Sequence, residues 1–372
     1  MVTMAMVPLT KIKAGDRLAQ DVYSVLGGLI MYKNRIVTNR DLEVLEAFMI
    51  KQVEVDSAQD KETVMMKTKV TNNESNLQVK PIEQPSQKLT NFHELWLQLA
   101  EHTQKILEPS SVVRLPMFEL RSLLEQLIAQ VKQYQPMAIR SQFQQYLEND
   151  GSNYLIHKSI AVSLTSYLIG QWSNLPAKDG VQIALAGLLH DIGKSKISED
   201  VLNKREYLTE QDMAEIRRHT QYGYEILRNT PAINEGVKLA ALQHHERIDG
   251  NGYPLHARGE QIHLYARIVA IADMFHAMTM DRAHKKAESP FIVLEKLKQD
   301  SFGKLDPQLV ITFINKMVDL TLSKRVKLSD GRIGNVVFID HHHSTRPWVS
   351  INDSIVRLSQ ERELCITDVL VD

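Results

Sequence analysis

Imidazoles and carboxylates emerge from apolar stretches at several points in the second half of this chain. Ala184-Leu185-Ala186-Gly187-Leu188-Leu189 runs directly into His190-Asp191-Ile192-Gly193-Lys194. Leu239-Ala240-Ala241-Leu242 leads to His244-His245-Glu246, and Asp273 sits inside the apolar run from Ile268 to Phe275. His157 follows Tyr154-Leu155-Ile156, and His219 follows Ile216-Arg217-Arg218. A charged or polar group delivered by an apolar face is costly to bury unless it is paired or bound to a metal. One such histidine alone reads as a satisfied core residue. Together, the imidazoles of His157, His190, His219, His244 and His245 and the carboxylates of Asp191 and Asp273 are too many for one structural ion. Such ligands suit divalent transition metals. They fit a two-metal site in which an oxygen of Asp191 is shared. Two ions about 4 Å apart can clamp the attacking and leaving oxygens of a phosphoester. Lys194, one helical turn beyond His190, is placed to stabilise charge developing on a phosphate oxygen.

A second informative run is His245-Glu246-Arg247-Ile248-Asp249-Gly250-Asn251-Gly252-Tyr253-Pro254. Asp249-Gly250 and Asn251-Gly252 form turns, and Pro254 ends the run. The local reading leaves two alternatives open: a substrate-selecting loop beside a metal site, or a plain helix-terminating turn. His341-His342-His343 reads as a loop without a metal, because adjacent residues of a strand cannot all face one ion.

The elements that must position these groups are mainly helical. From Tyr154 to about Thr321 strand signals are scarce, and Val181–Leu189, Val237–Leu242 and Ile268–Phe275 read as buried helices. In the first helix of this region, Leu155, Ile160, Leu164 and Leu168 are expected to face in, and Ser163, Tyr167 and Gln171 out. Phe92 to about Glu148 also reads as helical. Leu95, Leu97 and Leu99 lie in its first helix. Leu120, Leu123, Leu124, Leu127, Ile128 and Val131 form a stripe in its second, suited to core packing or to a homodimer face. Ala58 to Thr90 is rich in Lys, Gln, Asn, Ser and Thr, and reads as a linker. Before it, strand-like runs flank Gly27-Gly28, a short helix is expected at Asp41 to Met49, and Gln52-Val53-Glu54-Val55 alternates as a strand. After Ser323, alternating runs around the Asp330-Gly331 turn predict a small β module with Phe338 and Trp348 in its core. Cys365 is expected to be buried. The expected organisation is a small α+β module at 1–57, a linker at 58–90, a helical connector at 91–149, the histidine-bearing bundle at 150–322 and a β module at 323–372.

Composition narrows the function classes. Lys+Arg 44 against Asp+Glu 45 leaves a formal net charge of −1 in 372 residues. Bulk charge thus gives no case for binding a nucleic-acid polymer or an anionic membrane surface. No stretch approaches the ~18 apolar residues of a membrane span. A single Cys and the absence of a leader pattern lead to the expectation of a reducing, cytoplasmic setting.

His190-Asp191 with Gly193-Lys194, and His244-His245-Glu246 with Asp249-Gly250 and Gly252-Tyr253-Pro254, resemble the paired signatures of the HD-GYP family. That family is the branch of the HD metal-dependent phosphohydrolases associated with cyclic di-GMP hydrolysis. The resemblance covers about Tyr154 to Phe302, and the flanking modules resemble extensions seen in such proteins. It implies a mainly α fold with an HD-type helical bundle core. It also implies His157, His190, Asp191, His219, His244, His245 and Asp273 as metal ligands, with Asp191 bridging and Lys194 on the scissile phosphate. Gly252, Tyr253 and Pro254 would border the substrate, and Arg282 and Lys285 would hold the dinucleotide. The implied cofactors are two divalent transition metal ions, iron or manganese, with zinc admitted by the ligand types. Asn153 stands where some relatives carry a Glu for a third metal, and His276 where relatives often carry Asp. The implied activity is a cyclic di-GMP phosphodiesterase giving linear pGpG or GMP. The alternatives are a cyclic di-GMP sensor that does not hydrolyse it, a hydrolase of another cyclic dinucleotide, or a di-iron oxygenase. The Gly-Tyr-Pro loop and Lys194 argue against the oxygenase.

Overall fold

The structure, a computed structural model, describes all residues except 1–3, 24–28, 39–40, 43–44, 46–49, 57–84, 109–114, 132–153, 203, 205–206, 281–286, 353 and 371–372. A helical bundle forms its centre, with small sheets on either side in sequence. The helices are α1 (Pro85–Leu107), α2 (Met117–Val131), α3 (Tyr154–Trp172), α4 (Ala177–Leu189), α5 (Glu199–Leu202), α6 (Glu210–Arg217), α7 (His219–Arg228), α8 (Glu235–Gln243), α9 (Leu264–Thr279), α10 (Pro290–Asp300) and α11 (Pro307–Asp319). The mainly α expectation therefore holds. Helix α1 starts at Pro85, inside the segment expected to be a linker. Pro at a helix start gives up a donor that would have had no helical partner there.

Helix α3 is the axis of the bundle. Every residue from Ile156 to Gly170 is buried. The outward orientation expected for Ser163 and Tyr167 is thus corrected, and the reason is close approach on that face. A Cβ at Gly187 of α4 would lie 2.7 Å from Ser163 Cα, and one at Gly180 would lie 2.9 Å from Tyr167 Cε2. The two glycines let α4 press against the polar side of α3. The hydroxyls this buries find carbonyls: Ser163 Oγ donates to Ala184 O at 2.7 Å, and Ser159 Oγ to Leu155 O at 2.9 Å. Burial therefore leaves these groups satisfied.

The α2 stripe Leu120, Leu123, Leu124, Leu127, Ile128 and Val131 is buried in the chain's own core. That core is continuous from Phe92 in α1 to Ile366 near the C-terminus. The stripe is therefore taken up within one chain and is not a free dimer face. Leu95 and Leu99 join the same core, whereas Leu97 is exposed.

The C-terminal sheet has strands β6 (Arg325–Leu328), β7 (Ile333–Phe338), β8 (Trp348–Ile351), β9 (Ser354–Arg357) and β10 (Ile366–Leu370), in the order β10-β6-β7-β8-β9, with antiparallel pairing throughout. The expected Asp330-Gly331 turn joins β6 to β7, with Gly331 at φ +87°. In the N-terminal module, β1 (Met4–Pro8), β5 (Gln52–Asp56) and β2 (Arg17–Leu18) form a sheet in the order β1-β5-β2. β3 (Val22–Tyr23) and β4 (Leu29–Met31) pair with each other. Most of the helix expected at Asp41 to Met49 lies outside the described residues.

Phe338 and Trp348 do not fill the core of their own sheet as expected. Phe338 is buried with Ile12, Leu18, Val22, Val53 and Val55 of the N-terminal module, and Trp348 packs against the same cluster. The β7–β8 register shifts between Val336 and Phe338. Arg35 adds a polar tie, donating to Ser323 Oγ at 2.9 Å while paired with Asp41. The His341–His343 segment is an exposed helical turn, with His343 Nδ1 3.1 Å from Asp340 Oδ2. Cys365 is half-buried rather than buried.

Candidate functional site

The α4–α5 connection carries His190 and Asp191, followed by the 3-10 turn Ile192–Lys196. Gly193 sets where this turn lies. A Cβ there would collide with the backbone of His219 and Gly223, reaching 2.8 Å from the His219 carbonyl carbon even at its third-nearest atom. Only a glycine lets the turn sit on the start of α7, and so brings Asp191 beside His219. His244 and His245 follow directly on α8, and Asp273 projects from α9.

These elements converge. Ligand atoms of Asp191, His219, His244 and His245 lie within 4.8 Å of one another, and so do those of His190, Asp191 and Asp273. Asp191 belongs to both groups. Its Oδ1 is 3.4 Å from His219 Nε2 and 3.8 Å from His244 Nε2, and its Oδ2 is 3.1 Å from His190 Nε2. Asp273 Oδ1 is 3.3 Å from His190 Nε2.

Backbone carbonyls set the tautomers. His190 Nδ1 bonds Gly187 O at 2.7 Å, His219 Nδ1 bonds Ile216 O at 2.6 Å, and His244 Nδ1 bonds Ala240 O at 3.0 Å. A carbonyl only accepts, so each Nδ1 carries the proton, and in the neutral ring the Nε2 lone pair is turned inward. Nε2 of His219 and Nε2 of His244 then face each other at 3.3 Å. Two lone pairs at that distance repel unless a cation lies between them. Asp191 Oδ1 is also buried without a hydrogen bond. Inward lone pairs from several imidazoles around an unsatisfied carboxylate oxygen are the donor set of a divalent transition metal. The first group, Asp191 with His219, His244 and His245, fits such an ion directly.

Burial dominates the ionisation of these imidazoles. It pushes His219 down to about 4 and His245 down to about 3, and it holds His244 well below its usual range. All three are neutral near pH 7, as ligation requires. His190 differs. Burial pulls it down, but the carboxylates of Asp191 and Asp273 outweigh that and raise it to about 9. Asp191 and Asp273 remain ionised: burial would raise them, but His190 and Lys158 lead the cations that hold both well below the usual carboxylate range.

Two lysines reach the centre. Lys194 Nζ lies 2.8 Å from Asp191 Oδ2, and burial lowers its proton affinity against the pull of that carboxylate. Lys158 was not singled out from the sequence. It extends from α3 to within 3.1 Å of Asp191 Oδ2 and 2.6 Å of Asp273 Oδ1, and these carboxylates raise its pKa against the effect of burial. A lysine in the apolar and hydroxyl-bearing run from Leu155 to Leu168 is the signal that could have found it.

His157 is buried, but its ligand atoms lie in neither group. Its Nδ1 accepts the indole N–H of Trp96 at 3.0 Å. His276, the other departure, is buried with Nε2 2.8 Å from Thr165 Oγ1 on α3.

The Gly-Tyr-Pro loop closes over one side. Tyr253 stacks on His245, with ring centroids 4.8 Å apart and an interplanar angle of 24°. The Arg217 guanidinium lies 5.4 Å from the Tyr253 ring centroid on the same ring system. Buried Glu246 supports the loop from below, accepting from the backbone of Leu255 at 2.6 Å and Ala257 at 3.1 Å. Gly252 passes so close to Glu246 that a Cβ would lie 2.6 Å from its carbonyl carbon. Asp249 pairs with Arg247 at 2.7 Å and accepts from Asn251 N at 2.8 Å. The loop thus meets the first ligand group through His245. Pro254 is half-buried beside Tyr253. Arg282, Lys285 and Asn153 lie outside the described residues.

No helix among the described residues is long and apolar enough to cross a membrane. The chain is 35% identical over 191 residues to Cyclic di-GMP phosphodiesterase PA4108 of Pseudomonas aeruginosa, covering 51% of this chain and 46% of that protein. It is 38% identical over 168 residues to Cyclic di-GMP phosphodiesterase response regulator RpfG of Xanthomonas campestris pv. campestris, covering 45% and 43%. It is 35% identical over 137 residues to 3'3'-cGAMP-specific phosphodiesterase 2 of Vibrio cholerae, covering 37% and 26%. The chain therefore spans about half, or less, of the length of these relatives. Residues 124–309, half of the chain, match the family model described as "HD domain", and this stretch holds both ligand groups and the Gly-Tyr-Pro loop. The chain belongs to the HD domain family.

Proposed function

We propose that this chain hydrolyses a phosphodiester of a cyclic dinucleotide, cyclic di-GMP first among them, at a metal centre organised on Asp191. The observation that carries the reading is the sharing of one buried carboxylate, Asp191, by both ligand groups. The names of relatives at 35% and 38% identity support the substrate class. His190, Asp191, His219, His244, His245 and Asp273 are the proposed ligands. Of the two iron or manganese ions that the family resemblance implies, the first group fits one directly. Zinc fits the same donors.

When bound, a divalent cation polarises a phosphoryl oxygen and lowers the pKa of a water toward neutrality. The chain supplies the rest. Lys194, half-buried beside Asp191, offers an ammonium to a phosphate oxygen at the rim. Tyr253, fixed against His245, borders the substrate, while Gly252 and Pro254 hold the loop's path. Arg282 and Lys285 are proposed, on the resemblance, to hold the second phosphate. Hydrolysis consumes one water: its oxygen bonds to phosphorus, the bond from phosphorus to the ribose oxygen breaks, and that oxygen takes up a proton. Linear pGpG results, and a second hydrolysis gives GMP. We further propose a bacterial, cytoplasmic setting and the five-part organisation given by the sequence, with the helical connector beginning at Pro85.

The test is incubation of the protein, reconstituted anaerobically with Fe(II) or Mn(II), with cyclic di-GMP and with 3'3'-cGAMP, with products separated by ion-pair chromatography. Linear dinucleotide from cyclic di-GMP supports the proposal. Intact cyclic di-GMP with full metal loading refutes it, and measurable binding in that case favours the sensor alternative. The relative named for 3'3'-cGAMP is the observation that puts that nucleotide in the panel.

A further inference from the structure

Lys158 stands in the second ligand group. It lies next to His157 on α3, within the stretch that is buried on every face. Its Nζ donates to Asp191 Oδ2 at 3.1 Å and touches Asp273 Oδ1 at 2.6 Å. Those are the same two oxygens that face His190 Nε2 at 3.1 and 3.3 Å. The ammonium thus rests on the carboxylate atoms that an ion in this half of the centre would need. Among the described residues, Asp191 and Asp273 are the carboxylates of this group, and the ammoniums of Lys158 and Lys194 already balance them. An ion admitted here would share both oxygens with a like charge, in an interior that screens charge poorly.

Trp96 supplies an independent observation. Its indole N–H, which can only donate, points at His157 Nδ1 at 3.0 Å. The two rings are buried and nearly parallel, with centroids 6.3 Å apart and an interplanar angle of 17°. Accepting that bond keeps the lone pair on Nδ1 and the imidazole proton on Nε2. A protonated nitrogen has no lone pair to give a metal. The ring adjoining Lys158 in sequence is therefore held in the tautomer that does not ligate through Nε2.

We infer that Lys158 takes the place of the second ion. The centre holds one divalent cation, on Asp191, His219, His244 and His245, and the Lys158 ammonium provides the positive charge on the other side of Asp191. This inference rests on the metal-centre reading of the proposed function and narrows it.

The test reads metal stoichiometry and spin coupling rather than turnover. The full chain is stripped with chelator, reconstituted anaerobically with Mn(II), freed of excess metal by gel filtration, and examined by elemental analysis and EPR. The unsubstituted protein should hold one Mn(II) per chain, with the spectrum of an isolated ion. Lys158→Ser should hold two, with the spectrum of an exchange-coupled pair. Lys158→Arg, which keeps the charge, should stay at one. Two coupled ions in the unsubstituted protein overturn the inference, and so does a folded Lys158→Ser protein that stays at one. Should Lys158→Ser fail to fold, the unsubstituted protein's stoichiometry still decides. Absence of any ion from all three proteins sinks the metal-centre reading itself. That result is distinct from two ions in the unsubstituted chain, which sinks only the role given to Lys158.

Discussion

Gly193→Ala is a one-carbon change aimed at the geometry that brings Asp191 to His219. The added Cβ would meet the His219 carbonyl oxygen and Gly223 N first, and the His219 carbonyl carbon at 2.8 Å. All three are backbone atoms of α7, so no side chain can swing aside. Comfortable carbon contacts are about 3.5–4.0 Å, so relief requires the 3-10 turn and α7 to part by roughly 1 Å or more. Overpacking of this kind typically costs about 1–3 kcal/mol in stability. The effect on the centre should be larger in proportion. His219 begins α7, and its Nε2 is 3.4 Å from Asp191 Oδ1 and 3.3 Å from His244 Nε2. Disturbing what orients a metal ligand commonly lowers affinity by about 10–100-fold. Gly223→Ala is the control on the facing surface. Its Cβ would lie 3.4 Å from Ala241 Cβ and 3.5 Å from Gly193 N, which is ordinary contact. Ala in place of Gly inside a helix gains about 0.5–1 kcal/mol, so this variant should be neutral or slightly more stable. Chelator competition for Mn(II), paired with urea unfolding, measures both quantities. If Gly193→Ala binds Mn(II) as tightly as the unsubstituted protein, or if Gly223→Ala is the more damaging change, the positioning role of Gly193 is wrong.

Asp191→Asn keeps the shape of the shared ligand but removes its charge. It should abolish tight metal binding, and it should destabilise the metal-free protein by about 3 kcal/mol, because Lys158, Lys194 and His190 lose a buried counter-charge. Retained tight metal binding would contradict the shared-carboxylate arrangement. The metal-free protein should also have a stability maximum near pH 6.5. His219, at about 4 when folded, and His245, at about 3, resist protonation that the unfolded chain accepts. Stability therefore rises with pH through these values toward the unfolded value of about 6.5. His190, raised to about 9 by the carboxylates despite its burial, does the opposite. Its contribution is fully present below about 6.5 and is lost as pH rises through about 9, a change on the order of 3 kcal/mol. Urea midpoints of chelator-treated protein between pH 4 and 10 check this, and a flat limb from 6.5 to 9 would contradict the account of His190.

The polar residues that interrupt apolar runs were the most legible part of the sequence. His190, Asp191, His244, His245 and Asp273 announced themselves because burying them alone is so unfavourable, and the fold brings them together. The buried faces of α2 and α4 could be read for the same reason, since their apolar spacing matches the helical period. The orientation of α3 could not. Its small and hydroxyl-bearing residues fit either solvent or a close helix contact, and the decision is made by glycines on α4, a different helix. The partner of Phe338 was hidden in a comparable way: the cluster that buries it belongs to a module about three hundred residues earlier in sequence.

His157 carries this point into the chemistry. By position in the motif it is a ligand, and its residue type is right. Whether an imidazole can bind a metal depends, however, on which nitrogen holds the proton, and that is set by the group on its other side. For His190, His219 and His244 that group is a carbonyl of the preceding turn. For His157 it is Trp96, an N–H donor from a helix outside the motif, and the consequence is the reverse. Lys158, one residue on, meets the carboxylates of Asp191 and Asp273. A ligand motif fixes where the nitrogens and oxygens are. The neighbouring donors and charges, contributed by α1 and α3, determine how many ions those atoms can hold.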